Sequence, residues 1–232
     1  MKLAIMQPYF FPYIGYFQLM AAADVFIVYD NIQYTKKGWI NRNRFLLNGR
    51  DAIFTLPLSK ASDFLDVRDR TLAESYSRAD LLNKLQGAYR RAPYFDAVFP
   101  LLTTIVNDPA NNLFDYIFQS LEKLKDYFGL GCQLRISSSV DIDHALRGQD
   151  KVIELCHAVN ASTYVNPPGG RDLYACPDFL QQGLELRFLQ PGVIEYPQAG
   201  KPFVPWLSII DIMMFNDIDE IKRLITTEYE LN

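Results

Sequence analysis

Apolar positions along this chain fall into short runs whose spacing switches between strand-like and helical. Residues 2–6 form a short apolar run ended by Gln7-Pro8, which reads as a buried strand. Tyr13 to Ala23 reads as a helix, with Pro12 at or near its first turn. Val25 to Tyr29 is a second buried strand, bounded by Asp24 and Asp30. Strand, helix, strand in this order implies a parallel pair with a right-handed crossover. Residues 43–58 carry a hairpin pattern, with Arg44–Leu47 and Ala52–Leu56 flanking the turn signal Asn48-Gly49. Helical spacing predicts helices over 78–91, capped by Ser77, and over 113–128, capped by Asn112 and ended by Gly129.

Downstream, Gln133–Ser137 reads as a strand that runs into Ser138-Ser139. Lys151–Val159 reads as a helix with Val152, Leu155, Cys156 and Val159 inward. Thr163–Val165 and Leu184–Leu189 are further strands, and Trp206–Phe215 and Asp219–Ile225 are helices. The alternation predicts an α/β fold: a Rossmann-like, mostly parallel sheet flanked by helices, with an inserted β-hairpin supplying antiparallel strands. No linker-like segment interrupts residues 1–232, so one domain is expected.

Composition narrows the partners. The net charge is −4 over 232 residues, which argues against a general nucleic-acid binder. Cys132, Cys156 and Cys176 are scattered and odd in number, so no disulfide framework is expected, and no C-x-x-C pair suggests zinc. His144 and His157 stand alone, and His157 reads as a half-buried helix residue. The apolar start is too short and too broken by Pro8 and Pro12 for a signal peptide or a stable membrane insertion, so the cytoplasm is the expected location. No phosphate-binding, dinucleotide, serine-elbow or zincin motif occurs.

Four segments concentrate candidate chemistry. Gln7-Pro8-Tyr9-Phe10-Phe11-Pro12-Tyr13-Ile14-Gly15-Tyr16-Phe17 packs aromatics and prolines around one glycine, at the end of a strand where open α/β sheets bind ligands. Gly15, in the first turn of a helix, would let a flat ligand approach the backbone. Phe10, Phe11 and Phe17 read as core, whereas Gln7, Tyr13 and Tyr16 carry polar tips. Asp30 to Arg44 follows the second strand, so it leaves the sheet at the same edge. Lys36, Lys37, Arg42, Arg44 and Arg50 lie between Asn31 and Arg50 with no acidic residue among them, a setting for phosphate. Trp39 and Tyr34 could stack on a base or sugar.

The third segment, Asn166-Pro167-Pro168-Gly169-Gly170, ends a strand with a turn whose amides could cradle an anion. Ser137-Ser138-Ser139 could do the same or be a plain loop. Asp211, within an apolar stretch, reads as a satisfied structural acid near a helix start rather than a catalytic one.

These motifs together resemble one known family. Ala4 to Tyr16, Gly38-Trp39-Ile40-Asn41-Arg42-Asn43-Arg44, Tyr164 to Gly170 and Leu207-Ser208-Ile209-Ile210-Asp211 look like the WbqC-like protein family, over essentially the whole chain. The resemblance implies a place in bacterial O-antigen and other surface-polysaccharide (lipopolysaccharide) biosynthesis, with transfer of glycine or a similar aminoacyl or acyl group to an amino sugar. Phe11 to Tyr16 is also similar to the histidine–x–glycine–histidine turn of nucleotidylyltransferases and pantothenate synthetase, with Tyr13 and Tyr16 at the histidine positions. Tyrosine is neutral, so phosphate charge would then be met by Lys37, Arg42 and Arg44.

The expected function is therefore acyl or aminoacyl transfer to a nucleotide-linked amino sugar or another phosphate-bearing small molecule. ATP or an acyl donor would be the cofactor. Lys37, Arg42 and Arg44 would hold phosphate, and Tyr13, Tyr16, Gly15 and Trp39 would line the pocket. Gln7, Asn41 and Asn166 would orient polar groups beside Gly169 and Gly170, and Asp30 would be the acid/base, with Gln7 and Tyr16 beside the chemistry. A non-catalytic nucleotide-sugar binder and a nucleotidylyltransferase-like enzyme are the alternatives.

Overall fold

The computed structural model describes residues 1–200 and 202–232. Its centre is a six-stranded sheet made of β1 (Lys2–Met6), β2 (Val25–Val28), β5 (Gln133–Ile136), β6 (Thr163–Asn166), β7 (Glu185–Pro191) and β8 (Tyr229–Leu231). The spatial order is β5-β2-β1-β6-β7-β8, parallel throughout except for β8, which pairs antiparallel with β7.

The pleat divides the central strands between two cores. Leu3, Ile5, Val25 and Ile27 face one side, where they meet Val152, Leu155 and Cys156 of α5 (Gly148–Ala158) and Phe179 of α6 (Cys176–Gln181). Ala4, Phe26, Val28 and Val165 face the other side. There they meet α1 (Ile14–Ala21), α4 (Leu113–Phe128) and α8 (Ile218–Thr227). Both faces are thus buried, as continuous apolar strands require. Helices change face between the β1–β2–β5 half and the β6–β7 half, so the switch point lies between β1 and β6. Ligands in such sheets sit beyond the carboxyl ends of the strands near that point.

Local signals act as expected at several positions. Asn112 accepts from the Phe114 and Asp115 amides and starts α4, and Gly129 ends it at φ 68°. Ser77 accepts from the Asp80 amide and starts α2 (Arg78–Tyr89). Asn48 and Gly49, both at positive φ, turn β3 (Arg42–Leu47) into β4 (Arg50–Thr55). This hairpin forms its own two-stranded sheet instead of joining the central one. Gln18, fully buried in α1, donates from Nε2 to the Leu224 and Glu228 carbonyls and so ties α1 to the end of α8.

Other parts depart from the pattern. α3 (Phe95–Val106) carries Pro100 within its first two turns, where a proline ordinarily reads as a stop. α6 and β8 are too short to announce themselves. α7 (Ile209–Phe215) starts three residues later than its pattern suggests, and Trp206 stands outside it in the left-handed region at φ 61°. His157 is exposed on α5, not half-buried. Among the described residues no helix is long and apolar enough to cross a membrane.

Candidate functional site

The bend after β1 is held from three directions. Phe11 adopts a left-handed backbone at φ 45°, costly for a bulky residue. Its carbonyl accepts from Asn43 Nδ2 at 2.7 Å and from Ser208 Oγ at 2.8 Å. The Phe10 amide donates to the Ile40 carbonyl, the Ile209 amide to the Pro12 carbonyl, and the Ser208 amide to the Arg44 carbonyl. The proline bend, the start of β3 and the entry to α7 therefore form one unit, although they lie far apart in sequence.

This unit frames an aromatic cleft of about 310 Å³, lined by Tyr9, Pro12, Tyr13, Trp39, Asn43, Arg44 and Trp206. Trp39 is 42% exposed and Trp206 64%, unusual for the two largest side chains of the protein. The Tyr13 and Trp206 rings lie 5.8 Å apart, and the guanidinium groups of Arg42 and Arg44 lie 5.3 and 5.7 Å from the Trp39 ring. Arg44 Nη2 donates to the Trp206 carbonyl at 3.0 Å and so fixes that wall. Its Nε is buried with no acceptor among the described residues.

The expected site residues divide sharply. Tyr13, Trp39 and Arg44 come together in the cleft. Arg42 and Lys37 do not line it: Arg42 donates from Nε to the Gly38 carbonyl and from Nη2 to that of Lys37, so it braces the turn before β3. Asn41 is a scaffold group, accepting from the Tyr34 hydroxyl and donating to the Leu56 carbonyl. Gly15 leaves room for the Tyr13 ring, which covers its Cα where a ligand was expected. Tyr16 is 2% exposed, and its hydroxyl donates inward to the Gln7 carbonyl at 2.9 Å. Burial holds that phenol well above its ordinary pKa. The Gln7 side chain accepts from the Tyr9 hydroxyl at 3.3 Å, at the edge of this cluster. Asn166 accepts from the Tyr164 hydroxyl and packs its amide against Gly170, leaving Nδ2 buried without an acceptor among the described residues. Neither it nor Gly169 lines the cleft.

Asp30 lies outside the cleft, and its carboxylate is occupied. Ser138 donates from its amide at 2.9 Å and from its hydroxyl at 2.5 Å, and Ser137 Oγ lies 2.9 Å away. A carboxylate so engaged is a clamp between the ends of β2 and β5, not a free base. The serine run supplies that clamp. Asp211, fully buried, accepts from Tyr89, Tyr196 and Gln198, which anchors the segment before α7. Burial raises its pKa while these donors pull it back.

A second, larger concavity of about 640 Å³ opens at the carboxyl ends of β2 and β5. Its lining includes Arg68, His144, Arg147, Lys151 and Asp66, with Tyr29, Tyr174 and Phe64. Asp30 stands behind its wall. Ser137 Oγ also approaches Asn31 Oδ1 at 2.5 Å, and Asn31 reaches His144 Nδ1 at 3.0 Å and Lys151 Nζ at 3.3 Å. The sequence holds one sign of this site: Lys151 lies four residues before Leu155, on the inward face of α5.

Comparison with known proteins agrees with the motifs. The model of the WbqC-like protein family matches residues 7–223. The chain is 29% identical over 215 residues to "Uncharacterized protein Rv1507c" of Mycobacterium tuberculosis (strain ATCC 25618 / H37Rv), covering 91% of this chain and 92% of that one. No solved structure matches. With a family match that spans the bend, the hairpin and the entry to α7, the chain belongs to the WbqC-like protein family.

Proposed function

We propose that this protein seats a nucleotide-linked amino sugar in the aromatic cleft and transfers an acyl or aminoacyl group, glycyl in the simplest case, to the sugar's amine in bacterial surface-polysaccharide (O-antigen) assembly. The observation that carries the reading is the placement of two exposed tryptophans, Trp39 and Trp206, around Arg44 in one cleft. Indole faces suit a base or pyranose ring, and a guanidinium suits phosphate. In the transfer, the amine attacks the acyl carbonyl, loses a proton, and the carrier leaves. An activated donor makes this possible with little help from the protein. With free glycine as donor, ATP would have to supply the activation.

A second reading is favoured by a specific observation. Among the described residues the cleft lining contains no carboxylate, imidazole or thiol. Binding without chemistry fits that lining equally well. Nucleotidyl transfer is the weaker alternative, because Tyr16, at the second histidine position of that comparison, spends its hydroxyl on the Gln7 carbonyl.

Mass spectrometry of nucleotide-linked amino sugars incubated with the protein and glycine, with and without ATP, separates these readings. ATP-dependent gain of one glycyl residue supports transfer. Saturable binding with no product from any acyl donor leaves the binding module. Absence of both removes the proposal.

A further inference from the structure

We propose that the concavity at the carboxyl ends of β2 and β5 is a second binding site, for a phosphorylated small molecule whose phosphate is held by Lys151, Arg147 and the amino end of α5. It shares no lining residue with the aromatic cleft, so it stands independently of the function proposed above.

The charge distribution is the first support. Three cations, Arg68, Arg147 and Lys151, face the cavity against the single lining carboxylate of Asp66. Lys151 is the key group. It is 4% exposed, yet among the described residues its ammonium makes no salt bridge and has only Asn31 Oδ1, at 3.3 Å, as a hydrogen-bond partner. Its other neighbour is the Tyr29 ring, 5.4 Å from Nζ. A buried ammonium with one long neutral hydrogen bond is poorly compensated, and an anion placed in the cavity would complete its shell. Burial and the nearby Arg147 lower its pKa, against the weaker opposing pull of Asp66 and Asp30, and an anionic ligand would raise it.

The helix end is the second support. α5 begins at Gly148 and runs for 11 residues, and its N-cap residue, Arg147, gives no side-chain acceptor to the first-turn amides. Gly148 itself lines the cavity. Free amides and the positive end of the helix dipole favour an anion at this point. Arg147 rests its Nη1 on the His144 and Leu146 carbonyls, and Arg68 forms long ion pairs with Asp30 at 3.9 Å and Asp66 at 3.8 Å without a direct hydrogen bond to either. Both guanidinium groups thus keep donors for a ligand.

The aromatic members of the lining set the rest of the ligand. Tyr29, Tyr174 and Phe64, which is 84% exposed, offer ring faces beside the cationic end. A volume of about 640 Å³ is within the range that small-molecule sites occupy. A phosphate ester with a flat ring, of mononucleotide size, fits this combination.

Calorimetric titration with inorganic phosphate, pyrophosphate, AMP and UMP tests the proposal. Saturable binding is expected, with the nucleotides tighter than inorganic phosphate. Lys151→Met, which keeps the aliphatic stem, should weaken binding by about tenfold or more, as loss of a charge-assisted contact does. Arg147→Ala, an exposed position, should weaken it several-fold and provides the test should Lys151→Met fail to fold. Trp39→Ala, which removes a wall of the separate aromatic cleft, should leave the binding event that depends on Lys151 and Arg147 in place. The proposal is overturned by no binding of any probe, by affinities unaltered in both cation variants, or by binding that disappears in Trp39→Ala. Nucleotides no tighter than inorganic phosphate would overturn the ring contact.

Discussion

At the scale of single residues, the side chains that define the bend act by holding one carbonyl. Phe11 is fixed in a strained backbone because Asn43 and Ser208 both donate to its oxygen. Asn43 also accepts from the Arg44 amide, and Ser208 accepts from the Ile210 amide at the start of α7. Asn43→Ala should destabilise the protein by about 1–3 kcal/mol, the usual cost of stranding buried polar groups. Ser208→Ala should cost about 1 kcal/mol through its cap. Because both act on one acceptor, the double variant should lose more than the sum. Urea unfolding of the four proteins checks this, and strict additivity would mean that the two donors do not share the work. These roles were hard to read from sequence. Asn41, Asn43 and the serines after β5 look like ligand-binding groups by type, and only their partners in space show that they are scaffold.

At the scale of elements, the first turn of α1 couples fold to cleft. The Tyr13 ring lies over the Cα of Gly15, and a methyl group there would collide with the far end of that ring. Tyr13 can swing away, and alanine is a better helix former than glycine by roughly 1 kcal/mol. Gly15→Ala should therefore keep or raise the melting temperature while displacing Tyr13 and weakening any ligand that stacks in the cleft. Thermal unfolding compared with ligand affinity decides it. A lowered melting temperature with unchanged affinity would show that the glycine serves packing alone.

Periodicity identified the parallel strands, α2, α4 and the hairpin, because each has a full apolar face or a capping residue. It missed α3, where Pro100 reads as a stop, and β8, whose three residues carry too little pattern. It also began α5 at Lys151, so the amino end that faces the cationic cavity went unnoticed.

At the scale of the whole molecule, an acidic chain gathers local positive charge at one edge of its sheet, in two concavities of different character. The cleft draws on residues from the bend, β3 and the segment before α7, and only the first two were legible as neighbours. Both follow adjacent parallel strands, so topology brings them to one edge. Trp206 arrives from the far end of the chain through the Arg44 and Ser208 hydrogen bonds, which no local pattern encodes. Asp30, expected beside the same ligand, instead clamps the other cavity through Ser137, Ser138 and Asn31.

The cleft can be interrogated without a label. Trp39 and Trp206 are the only tryptophans in the chain, and both line it. Tryptophan fluorescence during titration with a UDP-linked amino sugar should show a saturable change that Arg44→Ala weakens. An unchanged emission spectrum, at ligand concentrations where calorimetry detects binding, would place the ligand elsewhere and contradict the account.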